Sequence, residues 1–150
     1  MSGIEIRPVT VKDLPAVVAL LADDPIGAKR ESPEDLAPYL SALERLSADS
    51  NQCAVVATRD DQVVGTLQLT IIPGLSRRGA IRSIIEGVRV HSAERSAGLG
   101  TELIEWAIEE SREQGCTLVQ ITSDATRTDA HRFYERLGFT PSHLGFKLQL

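Results

Sequence analysis

The stretch RVHSAERSAGLGTELIEWAIEE, Arg89 to Glu110, decides the reading of this chain. Its first residues end an apolar strand, its middle is a polar loop holding Gly98 and Gly100, and from Leu99 it turns amphipathic. Leu99, Leu103, Trp106 and Ala107 fall on one stripe, and Gly115 supplies a stop after about Gln114. A strand that passes through a glycine turn into a helix N-terminus presents unpaired backbone N–H groups and a positive dipole end, which suits a phosphate-bearing ligand. A dinucleotide fingerprint would need a third glycine where Leu103 stands, and a Walker loop would need Gly-Lys-Ser/Thr; neither pattern is present.

Outward from this stretch, elements alternate. Before it, Ala80 to His91 reads as a long strand, preceded by the turn PGLSRRG and by a hairpin of CAVVATR and QVVGTLQLTII with Asp60 and Asp61 at its tip. Further upstream are a first strand, Ile4 to Pro8, and two amphipathic helices. Val11 to Ala22 carries Leu14, Val17, Val18 and Leu21 on one face, and Pro33 to Ala48 carries Leu36, Leu40, Leu43 and Leu46. Downstream, CTLVQITS reads as a strand and TDAHRFYERLG as a helix capped by Thr128 or Asp129 and ended by Gly138. The chain closes on a last strand in FTPSHLGFKLQL. The order βααβββαβαβ predicts an α/β (α+β) fold, with a mixed, mostly antiparallel sheet of six to seven strands flanked by four helices, in a single domain over residues 1–150.

Composition narrows the function classes. The chain has 150 residues, 42% hydrophobic and 25% charged, with a net charge of −5 and a pI near 5.2. That acidity disfavours a nucleic-acid surface, which would need a basic patch. No apolar run approaches the ~20 residues that span a bilayer. The start MSGIEIRPVT has no basic and apolar leader pattern, so a cytoplasmic protein is expected. Cys53 and Cys116 lie far apart in or beside apolar runs, as reduced thiols do, and His91, His131 and His143 show no metal-ligand spacing. No metal site is expected.

The wider pattern VRVHSAERSAGLGTELIEWA resembles the coenzyme A loop of the GCN5-related N-acetyltransferases. That motif is a Val-x-Val strand end followed by Gln/Arg-x-x-Gly-x-Gly/Ala, with Arg95, Gly98 and Gly100 at its positions. A second landmark of the family, an aromatic-Tyr-Glu-x-x-Gly-Phe helix end, stands here as FYERLGF, Phe133 to Phe139. The resemblance covers the whole chain in element order and about Ile84 to Phe139 in motif detail. It implies acetyl-CoA as cosubstrate, its diphosphate on the backbone of Arg95, Ser96, Ala97, Gly98, Leu99, Gly100 and Thr101. The pantetheine arm would run along Val88, Arg89 and Val90. Many relatives carry an asparagine at places that Asp124 and Arg127 occupy here, which puts the finer arm contacts in doubt.

Physical chemistry agrees at these positions. Glycines remove the Cβ atoms that would hold a diphosphate off the amides, and Arg95 can add charge-assisted bonds, although a solvated loop arginine accounts for it equally well. The resemblance gives Tyr134 the part of general acid toward the departing thiolate, because a phenol ionising near ~10 keeps its proton at neutral pH. Its place on the stripe Ala130, Phe133, Tyr134 and Leu137 is also what a core tyrosine would show. Glu86, a carboxylate within SIIEGVRV, is expected to be desolvated and to take a proton from the amine directly or through water; an ion pair with Arg82 is the structural alternative.

The resemblance implies direct acetyl transfer from acetyl-CoA to a primary amine of a small molecule, without a covalent enzyme intermediate. TDAHRFY and the terminal SHLGFKLQL also look like the branch of the family that contains aminoalkylphosphonate N-acetyltransferases, so an aminoalkylphosphonate-like or amino-acid-like amine is expected, while the acid-rich Asp23 to Asp35 region would suit a cationic one such as a polyamine. A non-catalytic acyl-CoA sensor and acetylation of a protein amine are the competing readings. Acetyl-CoA and a small amine are the expected partners, with a homodimer as the assembly left open. Arg77, Arg78 and Arg82 in SRRGAIR read most simply as a solvated hairpin turn, and would meet an anionic acceptor if the hairpin lined the cleft.

Overall fold

The structure, a computed structural model, describes residues 3–150. The chain forms two compact units, Met1–Gln120 and Ile121–Leu150. The described residues contain five strands and five α-helices, in place of the expected six to seven strands and four helices.

In the first unit, β1 (Ile4–Pro8), β2 (Gln52–Arg59), β3 (Gln62–Pro73) and β4 (Ile81–Val90) pair antiparallel in chain order, and β5 (Leu118–Ile121) stands fifth. The β2–β3 hairpin closes on Asp60 and Asp61 with φ of 49° and 63°, the positive pair that a primed turn demands. Thr117 N–H bonds to Ile81 O at 2.9 Å, so β5 starts beside the start of β4, as a helical crossover requires.

The crossover helix α4 (Leu99–Glu113) buries Leu99, Leu103, Ile104, Ala107 and Ser111. These side chains meet Val55, Ala57, Leu67, Leu69 and Ile85, which are also buried and form the core. One polar contact crosses this apolar seam. Ser111 donates its hydroxyl proton to Ala107 O at 2.7 Å, so the 2.7 Å bond between the Ser83 and Ser111 hydroxyls takes its proton from Ser83.

Helix α1 (Leu14–Ala22) begins three residues later than Val11. A capping box of Thr10 and Asp13 winds Val11–Asp13 into a 3-10 turn first. It buries Leu14, Val18 and Leu20, while Val17 and Leu21 stay half-buried. Helix α2 (Ala37–Ser47) begins at Ala37 and not at Pro33, with Pro38 in the first turn, where its missing N–H costs nothing. The PGLSRRG turn holds the single-turn α3 (Ser76–Gly79), in which Arg77 and Arg78 adopt left-handed angles, φ 55° and 62°.

Asp13 is the buried charge of this unit. Its carboxylate accepts both terminal nitrogens of Arg7, at 2.7 and 2.9 Å, and the Thr10 N–H at 2.7 Å. The Arg7 guanidinium foremost, with Thr10, lowers its pKa from 3.8 to about 2. A carboxylate depressed on folding contributes stability that is present above its unfolded pKa and lost as pH falls through the folded one. Arg7→Ala should therefore lower the melting temperature by several degrees above pH 4, a gap that closes between pH 4 and 2. Melting curves of both proteins across that range check this; a gap that stays constant to pH 2 refutes it.

In the second unit, α5 (Thr128–Arg136) is preceded by Arg127 at its N-cap, not by Thr128 or Asp129 as cap. The expected last strand does not form. Residues 139–150 have no regular structure, and Leu144, Phe146, Leu148 and Leu150 are exposed despite their strand-like alternation.

Candidate active site

The site grows from an irregularity in β4. From Ile81 the strand alternates: Ser83 and Ile85 turn toward α4, and Arg82, Ile84 and Glu86 to the opposite face. Then the ladder slips. Gln68 of β3 faces Glu86 and Thr66 faces Arg89, so Gly87 and Val88 stand opposite Leu67 alone. Gly87 has φ 62°, the left-handed conformation that the glycine of such a bulge takes. The bulge bends β4 directly after Glu86 and re-aims Val88, Arg89 and Val90.

Glu86 itself is exposed on the sheet face, not desolvated as expected, and among the described residues no ion pair joins it to Arg82. Arg82 extends the other way, its Nη1 beside Gly74 at the foot of the α3 turn. Arg77 and Arg78 sit exposed on the hairpin tip. They form the solvated turn that is the simplest reading of this stretch, and the register places them at the far end of β4 from the bulge, not along it.

Beyond Val90 the loop is fastened at both ends. His91 N–H bonds to Val64 O at 2.8 Å, and its Nδ1 accepts the Ala93 N–H at 3.1 Å. Glu94 takes a two-pronged contact from Arg59 at 2.8 and 3.2 Å. Ser96 and Gly98 adopt φ 71° and 84°, and the first intrahelical bond of α4 runs from Glu102 N–H to Gly98 O at 3.1 Å. The amides of Leu99, Gly100 and Thr101 precede that bond. A Cβ on Gly98 would meet nothing within 4 Å, so the space beside Gly98, directly ahead of the helix start, is open. Leu99 offers only its amide, since its side chain is buried.

A contact that the sequence pattern did not reveal ties the α1–α2 connection to this run. Asp24 accepts the Gly27 N–H on Oδ1, and its Oδ2 lies 3.4 Å from Arg89 Nη2, both side chains being mostly buried. Its neighbour Asp23 lies 3.6 Å from Arg95 Nη2, with both groups more than half exposed. The signal was the DDPIG stretch, where an aspartate ahead of a glycine reads as a side-chain-capped turn.

Glu86 and the run from Val88 to Thr101 therefore lie on one strand, loop and helix start. Asp124, Arg127 and Tyr134 belong to the second unit. There Asp124 accepts the Thr126 hydroxyl at 2.6 Å and its N–H at 2.9 Å, contacts that lower its pKa. The Tyr134 ring is flanked by Phe133 and Phe139, with centroids 5.4 and 6.1 Å away. Among the described residues, no cluster of His, Cys, Asp and Glu is placed to hold a metal, and no helix is long and apolar enough to cross a membrane.

Residues 14–139 match the Acetyltransferase (GNAT) family. The aminoalkylphosphonate N-acetyltransferase of Salmonella typhimurium is 31% identical over 142 residues, 95% of this chain and 88% of that protein. The glucosamine 6-phosphate N-acetyltransferase of Trypanosoma brucei brucei is 35% identical over 121 residues, 76% of this chain and 80% of that one. Among solved structures, a protein described as a transcriptional regulator from Bacillus halodurans C-125 superposes with a TM-score of 0.94 at 45% identity, over 98% of this chain and 99% of that one.

Proposed function

This chain belongs to the GNAT acetyltransferase family, and from that premise we propose that it transfers acetyl from acetyl-CoA directly to the primary amine of a small molecule. The observation that carries the reading is the cradle at Gly98: a left-handed glycine with open space beside it and three free-standing amides at the start of a fifteen-residue helix. A diphosphate fits there. Arg95 can join it at little cost, because an exposed ion pair such as Arg95–Asp23 is worth at most about 1 kcal/mol, whereas a hydrogen bond to a charged group is worth about 1.5–3 kcal/mol. The family match runs across the boundary between the two units, which supports treating them as one catalytic domain.

Bound at this loop, acetyl-CoA would supply the acyl thioester; the chain supplies position and protons. Glu86, at the bend of β4, accepts a proton from the incoming ammonium so that the amine nitrogen can attack. Tyr134 returns a proton to the departing sulfur. Burial pushes the thiols of Cys53 and Cys116 up, away from the thiolate that a covalent relay would need, which supports direct transfer. Two relatives are named for amines that carry a phosphonate or phosphate, which supports an oxyanion-bearing acceptor.

The solved structure described as a regulator favours a second reading, an acyl-CoA-responsive binding module without turnover. Acceptor-dependent release of free thiol from acetyl-CoA, across a panel of primary amines, separates the two: binding without release with every amine would leave only the sensor. Within the first reading, Glu86→Gln should slow turnover most at low pH, where the amine is protonated. A pH–rate profile superimposable on that of the wild type would remove Glu86 from the reaction.

A further inference from the structure

Helix α2 has an apolar stripe but buries no residue completely, and Leu40 remains 41% exposed. A groove of about 370 Å³ separates its C-terminal end from the sheet, within the ~300–1,000 Å³ range of small-molecule sites. Its roof is Ala42, Arg45 and Leu46 on one face of α2, with Asp49 just past the helix end; its floor is Gln52 of β2 and Gln68 of β3.

That floor is polar and ordered where a covered sheet face would be apolar. Gln52 Oε1 accepts from Gln68 Nε2 at 3.0 Å and from the Thr70 hydroxyl at 2.9 Å, which uses both of its lone pairs. The groups left to a ligand are the Gln52 amide N–H donors, the second Gln68 amide N–H and the Gln68 carbonyl oxygen, with the amide orientations assigned from this network. Gln68 is the cross-strand partner of Glu86, so both side chains stand on one face, their Cα atoms ~4.5–5.5 Å apart. The floor of the groove thus runs into the bend of β4.

We propose that this groove is the acceptor subsite, and that its ligand is a short primary amine bearing an oxyanion, a carboxylate or phosphonate, at its other end. The proposal rests on the acetyltransferase reading and adds where the acceptor's far end is held. The charges are arranged for such a ligand. Arg45, whose Nη1 donates to the Ser41 hydroxyl at 3.2 Å, lines the groove together with Gln52. Glu86 stands at the bend of β4, toward the ammonium. The Asp49 carboxylate is engaged by the Asn51 N–H at 2.9 Å. Gln52 and Glu86 lie two strands apart and offset along them, roughly 10–12 Å at strand spacings of ~4.8 Å.

The test compares 2-aminoethylphosphonate, 3-aminopropanoate and propylamine as acceptors in the thiol-release assay, for the wild type, Arg45→Ala and Gln68→Leu. Wild type should prefer the two oxyanion amines, and the two arms decide between phosphonate and carboxylate. In both variants the KM for oxyanion amines should rise roughly 10- to 100-fold, the effect of one lost charge-assisted hydrogen bond, with kcat little changed. The kcat/KM ratio of oxyanion amine to propylamine should fall accordingly, while acetyl-CoA still raises each variant's melting temperature. Arg45 is exposed, so its variant folds even if Gln68→Leu does not. An unchanged ratio in Arg45→Ala, or a wild type that prefers propylamine, overturns the subsite and leaves the acetyltransferase intact. A wild type that neither binds acetyl-CoA nor releases thiol overturns both.

Discussion

Tyr134→Phe should bind acetyl-CoA as the wild type does and turn it over roughly 10²- to 10⁴-fold more slowly. The ring is held from both sides by Phe133 and Phe139, and phenylalanine keeps that aromatic packing. Only the hydroxyl is lost. A proton donor to a departing thiolate stabilises the transition state more than the ground state, so the loss falls on kcat. The expected range corresponds to about 2.7–5.4 kcal/mol of barrier, whereas a merely structural hydroxyl contributes about 0.5–1.5 kcal/mol, and to folding. Rapid-mixing turnover and equilibrium binding of acetyl-CoA separate the two. Full turnover with a lowered melting temperature would return Tyr134 to packing.

The second large effect is expected at the loop. Acetyl-CoA at 100 times its dissociation constant should stabilise the wild type by ~2.7 kcal/mol, and Gly98→Val should abolish that shift. Gly98 has φ 84°, and a Cβ there meets no protein atom within 4 Å. The added side chain therefore enters open space beside the loop and not the core. The free protein should melt only slightly lower, by the ~1–2 kcal/mol that a left-handed residue with a side chain costs. Melting curves with and without acetyl-CoA decide this, with NAD as the comparison. A variant that keeps the full shift, or a wild type that responds to NAD and not to acetyl-CoA, would falsify the cradle.

Much of this was legible before any coordinates. The Asp60–Asp61 turn, the stripe of α4 and the glycine loop each rest on interactions within a few residues, where local chemistry decides. The bulge was not expected, although Gly87 inside an apolar strand was its signal, because alternation predicts faces and not slips in pairing. Glu86 was expected to be desolvated since its sequence neighbours are apolar. Its exposure is decided by which parts of the sheet face the helices cover, a tertiary fact. The terminal Leu144, Phe146, Leu148 and Leu150 fail for the same reason: alternation marks which side chains would turn inward, not whether an edge receives them. The contact of Asp24 with Arg89 spans 65 positions and is invisible to any local pattern.

The hydroxyl contact between Ser83 and Ser111 acts as an index mark. An apolar helix stripe lying on an apolar sheet is slippery: leucine against isoleucine packs nearly as well one turn higher or lower, a slide of ~5.4 Å along the axis. Ser83 can reach Ser111 at 2.7 Å from a single setting only, and any other takes from the buried Ser83 hydroxyl the acceptor it donates to. The mark lies near the far end of α4, yet a rigid rod transmits its setting to the other tip. The two serines thus hold Leu99, Gly100 and Thr101 at one height above β4.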